Sequence, residues 1–368
     1  MLDPKKPYND LPLLPPEQDI ENKLILKKCI EARAALAELK QAGRLIPNQS
    51  VLINTIPLLE AKTSSEIENI VTTNDELFKY ASLDPNNADA ATKETLRYRQ
   101  ALAHGCQVIK KRPVSTATAI EICGLIRKTD VSIRTQSGTV LSNPLTFETI
   151  YTPPAGEEMI MKKMSNWEHF LNERIDIDPL IRMAVMHYQF EAIHPFADGN
   201  GRTGRLLNIL FLIQEGLLEN PVLYLSKYII ENRGTYYTSI RSVTEQHQWQ
   251  EWILYMLDAT EQTAQWTRGK IQSIRELLEH TCHYVRKAAP KIYTRELVEV
   301  VFTQPYCRIK NLVDTNIAKR QTASVYLKKL VEIGILDEIK SGRDHLFVHP
   351  KFLKLLSRDD NTFLRYKL

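Results

Sequence analysis

The sequence predicts a mainly α protein with one β-hairpin and a small C-terminal winged-helix-like unit. Three observations lead there. Apolar residues recur at helical spacing through most of the chain, with Gly and Pro marking the gaps. One stretch, Val131–Thr152, is instead rich in Thr, Val and Tyr, with Ser-Gly and Asn-Pro turn signals. After AAPKIYTRE the composition shifts, and Arg295–Pro350 reads as helix, turn, helix and hairpin in that order.

The bulk numbers agree with a soluble globular chain. With 368 residues, 43% hydrophobic and 25% charged, it can bury a substantial core in two or three domains. A net charge of +4 exerts no general pull toward nucleic acid or membrane. The opening MLDPKKPYNDLPLLPPEQ has no long apolar run behind its lysines, and no later segment offers about 18 apolar residues in succession. A cytoplasmic protein without membrane contact is expected. Cys29, Cys106, Cys123, Cys282 and Cys307 are odd in number and scattered, which fits reduced thiols better than disulfides or zinc.

In chain order, the leader with PLLPP is expected to be extended. From Asp19 to Gly43, the residues Ile20, Leu24, Leu26, Ile30, Ala34 and Leu39 approximate one helical stripe. Further helices are expected over Ser64–Tyr80, Ala90–Lys110, Thr116–Lys128, Glu157–Asn172, Pro179–Ile193, Gly204–Glu215 and Gln248–Arg286. In the tail, Arg308–Val313 and Lys319–Gly334 flank the turn DTNIA, and EIKSGRDHLFVHP reads as two strands around Ser341-Gly342.

The chemistry concentrates in FEAIHPFADGNGRTGRLLNIL, Phe190 to Leu210. Asp178-Pro179 starts a helix as N-cap and first helical residue, and Ile181, Val185, Tyr188 and Ala192 follow one face. Pro195 disfavours the α conformation at His194, so that helix ends there. A second helix resumes around Arg202 with Leu206, Leu207, Leu210 and Ile213 toward the core. The intervening loop therefore feeds a helix N-terminus, where unpaired N–H groups attract anions and Gly199 and Gly201 let a ligand approach the backbone. Arg202 and Arg205 are three residues apart and offer multi-donor forks for phosphate oxygens. Asp198 makes sense beside phosphates if a hard cation such as Mg²⁺ lies between them. His194 is the only group of the loop whose unperturbed pKa suits proton transfer near neutrality. Taken singly, each has an ordinary structural explanation, as a helix-ending histidine, turn residues or paired arginines. Together they supply a base, a metal ligand, a nest and two phosphate forks, while the Walker and GxGxxG patterns are absent.

HPFADGNGRTGR, His194 to Arg205, resembles the signature HPFx[DE]GNGRxxR of the Fic family. LIPNQ…TSSEIENI over Leu45–Ile70, the YTPP that ends the hairpin and the winged-helix-like tail extend the resemblance to the bacterial Fic adenylyltransferases of the SoFic type. That similarity implies a helical core and transfer of AMP from ATP to a Ser, Thr or Tyr hydroxyl of a protein. By the same similarity His194 would deprotonate the hydroxyl, Asp198 would hold Mg²⁺, and Asn200 with the backbone of Gly199, Gly201, Thr203 and Gly204 would hold phosphate oxygens. Arg202 would hold the β-phosphate and Arg205 the γ-phosphate. The hairpin would be a flap whose inner edge, Glu148, Thr149, Ile150 and Tyr151, positions the target by strand addition. Tyr237 would lie near the adenine.

The segment Ser64-Ser65-Glu66-Ile67-Glu68-Asn69 matches the family's inhibitory pattern [ST]xxxE[GN], placing an inhibitory helix near residues 63–70 with Ser64, Glu68 and Asn69 as its key residues. Glu68 is expected to pair with Arg205. The expected division is an N-terminal helical region over 1–110, a Fic catalytic core over 111–286 and a winged-helix-like domain over 291–368. Two rival functions stand beside AMP transfer. One is removal of AMP with Glu68 aligning a water. The other is a DNA-binding regulator whose Fic body senses nucleotide, with Arg308, Lys310, Lys319, Arg320, Lys328 and Lys329 facing phosphates. Between Lys291 and Pro350 there are ten Lys and Arg against seven Asp and Glu, a mild excess. The tail could equally serve as a homodimer contact or a target adaptor.

Overall fold

The computed structural model describes all residues except 1, 2, 47, 136, 137, 143–145, 147, 342, 343 and 368. In chain order the N-terminal part contains α1 (Lys23–Arg44), α2 (Ser50–Ile53), α3 (Ile56–Ile67), α4 (Asn74–Ser82), α5 (Ala90–Val108) and α6 (Thr116–Arg127). Strands β1 (Leu141–Ser142) and β2 (Thr149–Tyr151) follow, then α7 (Glu157–Glu173), α8 (Pro179–Ile193), α9 (Asn200–Gln214), α10 (Leu225–Glu231), α11 (Arg233–Gln246) and α12 (Trp249–Ala288). The tail comprises α13 (Arg295–Phe302), β3 (Tyr306–Cys307), α14 (Ile309–Asp314), α15 (Arg320–Glu332), β4 (Asp337–Ser341), β5 (Asp344–Val348) and α16 (Pro350–Ser357).

Helix α8 is the axis of the molecule, with every residue from Leu180 to Phe190 buried. A helix apolar on all sides needs neighbours on all sides, and α7, α9 and α12 supply them. Two indoles bind it further: Trp167 Nε1 donates to Met186 O at 3.0 Å and Trp252 Nε1 to Ala184 O at 2.7 Å. The 40-residue α12 runs along both α1 and α8 and continues to the tail, where α13 and α16 pack on it. The proline-rich leader is held on this body by Lys163 Nζ to Leu11 O at 2.6 Å, Gln189 Nε2 to Pro12 O at 2.8 Å, and a two-way pairing of Leu14 with the Asn166 carboxamide.

Several expectations need correcting. In α1 the large residues Leu24, Leu26 and Ile30 are exposed, as is Ala34, and the buried face is instead Ile25, Cys29, Ala32, Ala35, Leu36 and Leu39. The single helix expected over Ser64–Tyr80 is two, α3 and α4. Asn69 at φ 62° ends the first, with Ile70 N–H to Ser65 O and Asn69 N–H to Glu66 O, both at 3.0 Å, which is a Schellman C-cap. Thr73 then caps α4 by accepting from Glu76 N–H. The motif helix begins at Asn200, earlier than Arg202 or Gly204, and α10, α11, α13 and α16 had not been anticipated.

The hairpin is shorter than expected. β1 pairs antiparallel with β2, Leu141 opposite Tyr151 and Ser142 opposite Thr149. The turns expected at Ser137-Gly138, Asn143-Pro144 and Ser341-Gly342 involve residues outside the described set. In the tail the sheet order is β3–β5–β4, all antiparallel, so the unit runs helix, strand, helix, helix, strand, strand in the winged-helix-like order. No helix among the described residues is long and apolar enough to cross a membrane.

The chain beyond α16 returns to α12 through a buried lysine. Lys270 Nζ donates to Leu355 O and Arg358 O at 2.7 Å and to Asp360 O at 3.2 Å. Removing it leaves three carbonyls without their charged donor. Lys270→Ala is expected to lower unfolding stability by about 1.5–3 kcal/mol, read by denaturant titration, and to make the segment after residue 357 the first point of limited proteolysis. An unchanged midpoint with an unchanged digestion pattern would refute this.

Candidate functional site

The site is made where α8 stops and α9 starts. His194, at φ 51°, is the C-cap of α8, its N–H bonded to Phe190 O at 3.0 Å. Phe196 turns back into the core and meets Phe190 edge-on. Gly199, at φ 86°, is the N-cap of α9, and a side chain there would be strained and would crowd Cys123 Sγ. The loop is closed by Asn200, whose Nδ2 donates to Phe196 O at 2.8 Å while its Oδ1 accepts from Phe196 N–H at 2.9 Å. Asn200 therefore spends both ends of its carboxamide on shaping the loop, where the sequence reading had it holding phosphate.

Arg134 locks the loop from outside. Its Nε donates to His194 O at 2.7 Å, its Nη2 to Ile193 O at 3.2 Å and to Pro154 O, and its N–H to Pro195 O at 2.9 Å. The orphan carbonyls at the end of α8 thus find one cationic donor. The His194 imidazole has its pKa pulled down to about 4, chiefly by burial and then by the Arg134 charge, against weaker pulls from the Glu191 backbone, Glu68 and Asp198. It is neutral at pH 7 and able to accept a proton.

The arginines of α9 are both buried and both answered by carboxylates. Arg202 Nη1 pairs with Glu94 of α5 at 2.5 Å. Glu94 is also approached by Arg127 at 3.7 Å and Arg97 at 3.8 Å, so one carboxylate sits among three guanidinium groups. Arg205 Nη2 pairs with Glu68 Oε1 at 2.8 Å and also donates to Ser64 O at 2.8 Å, while its Nε donates to Ser64 Oγ at 2.9 Å. Burial pushes the Glu68 carboxyl up, but Arg205, by charge and hydrogen bond, with Arg202 and His194 adding, carries it below the usual carboxylate range. Arg205 is shifted the other way, held firmly protonated against its own burial. Gly201 makes room for this contact: a Cβ there would lie 2.3 Å from Glu68 Oε1.

The inhibitory segment is fixed behind its tip. Glu60 of α3 accepts from Ser226 N–H at 2.9 Å and Tyr98 Oη at 3.2 Å, Thr63 Oγ1 bonds Tyr224 Oη at 2.5 Å, and Arg233 Nη2 caps Ile67 O at 2.9 Å. Ser64, Glu68 and Arg205 meet, while Asn69 contributes its backbone conformation at the helix end. Thr203 and Gly204 lie in the first turns of α9, Thr203 N–H bonding Gly199 O. Gly204 leaves room for the Glu191 carboxyl, which a Cβ would approach to 2.5 Å. Glu191 is buried, and burial, with Glu68 nearby, raises its pKa to about 7 despite Arg205.

Outside the loop the outcome is mixed. Tyr237 is 49% exposed on α11, edge-on to the buried Tyr236 and below Arg233, so it is not core packing. Of the flap residues, Glu148 is exposed, and Thr149 and Ile150 are partly so. Tyr151 is buried and anchors the hairpin, its Oη donating to Ala192 O at 2.9 Å. Tyr8 N–H of the leader reaches Thr152 O at 3.0 Å, next to the end of β2.

Comparison with known proteins decides the family. Residues 26–107 match the Fic/DOC family N-terminal region, residues 113–212 the Fic/DOC family itself, and residues 277–352 the C-terminal domain of the SoFic-like protein adenylyltransferases. The chain belongs to the Fic/DOC family. A protein adenylyltransferase of Caenorhabditis elegans is 37% identical over 89 residues, 24% of this chain and 16% of that one. A probable protein adenylyltransferase of Aquifex aeolicus is 33% identical over 93 residues, 25% of this chain and 26% of that one. Among solved structures, a Fic family protein from Desulfovibrio desulfuricans has a TM-score of 0.57 at 18% identity, covering 91% of this chain and 98% of that one. A Caenorhabditis elegans Fic-1 fragment has a TM-score of 0.50 at 20% identity, covering 67% and 74%. These two share the fold.

The Fic loop also has one carboxylate suited to a hard cation. Asp198 is 57% exposed, with Oδ2 paired to Arg127 Nη1 at 2.6 Å and Oδ1 accepting from Gly199 N–H. Among the described residues no cluster of three His, Cys, Asp or Glu side chains forms an all-protein metal cage. A single carboxylate beside an anion site fits Mg²⁺, which takes most of its ligands from phosphates and water; Arg127 would have to yield Oδ2.

Glu94, Arg127, Arg134 and Glu191 escaped the sequence reading of the Fic site. The first three lie 60 to 108 residues from their partners in the loop and carry no local pattern; Glu191 stood inside the quoted stretch and was passed over as helix. Arg134 gives the clearest test. Arg134→Ala should lower unfolding stability by about 1.5–3 kcal/mol, because buried carbonyls lose a charged donor. Thermal unfolding with and without the substitution measures it, and an unchanged midpoint would show that the carbonyls find water instead.

Proposed function

We propose that the protein transfers AMP from ATP to a Ser, Thr or Tyr hydroxyl of a target protein, and that Glu68 restrains the transfer. The observation that carries the reading is Arg205, buried on α9 beside the loop that holds His194 and joined to Glu68 and Ser64. The relatives named protein adenylyltransferase support the reaction class. Three regions follow the expected division, with the inhibitory segment before residue 110, the catalytic core over 111–286 and the winged-helix-like domain over 291–368. The protein is assigned to the cytoplasm.

In this mechanism the backbone N–H groups at the start of α9, from Gly199 to Gly204, and the two arginines receive the triphosphate. Asp198 would hold Mg²⁺, which when bound neutralises charge on the phosphates. Neutral His194 accepts the proton of the target hydroxyl as its oxygen attacks the α-phosphorus. The bond from that phosphorus to the bridging oxygen breaks, and pyrophosphate leaves. The chain forms no covalent intermediate; it supplies position and fixed charge. The exposed part of β2 lines up the target by main-chain pairing, with Tyr151 keeping the strand in place. Tyr237, exposed on α11, is available to stack on the adenine.

Glu68 occupies the donors of Arg205 that the γ-phosphate needs. ATP then binds with its α-phosphorus out of line, and the loss falls on rate more than on affinity. Incorporation of label from α-labelled ATP tests this. Glu68→Gly should raise labelling by roughly tenfold or more, Ser64→Ala less, and Arg205→Ala not at all, since it removes the inhibitory partner and the phosphate contact together. His194→Ala should abolish labelling in every background. If Glu68→Gly left the rate unchanged while His194→Ala abolished it, the restraint would be wrong and the transfer would stand.

The acid limb gives a second test. A base whose pKa has been lowered keeps its neutral form further into acid. Labelling by Glu68→Gly should therefore hold below pH 6 and fall only as pH drops through the His194 value of about 4. An acid limb centred near 6.5, the value of a solvated imidazole, would mean that His194 is open to water when substrate is bound.

A further inference from the structure

We propose that the C-terminal unit binds duplex DNA, with the N-terminal half of α15 entering the major groove. The inference is independent of AMP transfer. Helices α14 and α15 are joined by a short turn with Asn316 in the left-handed region, and the β4–β5 hairpin follows. Ala323, Leu327 and Leu330 face inward. On the outward side stand Gln321, Val325 and Lys328, all exposed, with Lys319, Arg320 and Thr322 exposed at the helix start. The rest of the unit is tied to the body: α13 packs on α12, Tyr284 Oη donates to Ile333 O at 3.0 Å, and Ser82 Oγ donates to Tyr306 O at 2.8 Å. The outer face of α15 is left to solvent.

Its chemistry suits a nucleic acid. From Lys319 to Val331 there is no acidic residue; Glu332, in the last turn, is already paired with Lys329 at 2.8 Å. Lys319, Arg320 and Lys328 have no carboxylate partner among the described residues, whereas Lys310 pairs with Asp314 and Arg295 with Glu279 and Glu299. Three unanswered cations on one face favour phosphates over a mixed protein surface. Arg320 and Gln321, at the start of the helix, carry the multi-donor and amide groups that read base edges. Val325, 62% exposed in mid-helix, gains nothing from the fold there and fits a thymine methyl. Duplex RNA is disfavoured because its deep, narrow major groove does not admit a helix.

The test uses the full chain and a fluorescent 30-base-pair duplex of mixed sequence, titrated by anisotropy at several salt concentrations. Binding should be detectable at low salt and weaken steeply as salt rises. The double substitution Arg320→Ala, Lys328→Ala should weaken it at least about tenfold and reduce the slope of log K against log salt by about two, one for each lost phosphate contact. Circular dichroism of the variant should match the parent, and its ATP labelling should be unchanged. No binding at low salt would overturn the proposal, as would binding that ignores the double substitution or that is equal for a single strand. If the variant lost labelling of protein targets while neither chain bound DNA, the face would belong to a protein partner instead.

Discussion

A guanidinium buried inside a protein must always have an anion beside it, because an unpaired charge in that setting costs several kcal/mol. Arg205 imposes that condition on the whole centre of this molecule. It is buried on α9, and α3 supplies its partners: the Glu68 carboxylate and both oxygens of Ser64. The positions of α3 and α9 are therefore not independent. Much of the N-terminal packing can be understood as holding α3 where Arg205 needs it, from Glu60 against α5 and α10 to Arg233 on the last carbonyl of the helix.

The same burial sorts the titratable groups by sign. His194 and His187 are kept neutral well below the usual imidazole range, while Glu191 is raised to about 7 and Glu68 lowered. Two carboxylates near one arginine thus differ in charge because only Glu68 has the guanidinium as a direct partner, whereas Oε1 of Glu191 is buried without one. Arg202 and Glu94 repeat the pattern one turn away.

How much of this could be read from the sequence follows from range. Local signals worked: Asp178-Pro179 and His194-Pro195 bracket α8 to the residue, and the Fic motif located the loop and both arginines. The pairing of Glu68 with Arg205 was legible because a family pattern marks both ends. The stripe on α1 was misread because the close face against α12 is built from Cys29, Ala32 and Ala35, small residues that give little periodic signal beside the outward Leu24, Leu26 and Ile30. The break at Asn69 was missed because a left-handed Asn closing a helix looks, in sequence, like one more polar residue. Arg134 and Glu94 could not be found at all, since nothing local says which distant carbonyl or guanidinium a single charged residue will meet. Asn200 was placed correctly, but its two bonds to Phe196 could only be seen once the loop was closed.

The Schellman cap at Asn69 has a dynamic meaning. It makes Glu68 the last residue before the chain turns away, outside the helix proper, while α3 behind it is bolted at Glu60, Thr63 and Ile67. Glu68 can leave Arg205 by rotating its own side chain, with no helix unwound and no domain moved. Side-chain rotations of this kind take picoseconds to nanoseconds, far faster than hinge or subunit motions. A contact that breaks and reforms on that scale is never a kinetic barrier to slower chemistry. It acts only through its share of the population, so any group that competes for Arg205 shifts it in proportion to its relative affinity and needs no separate signal to open it.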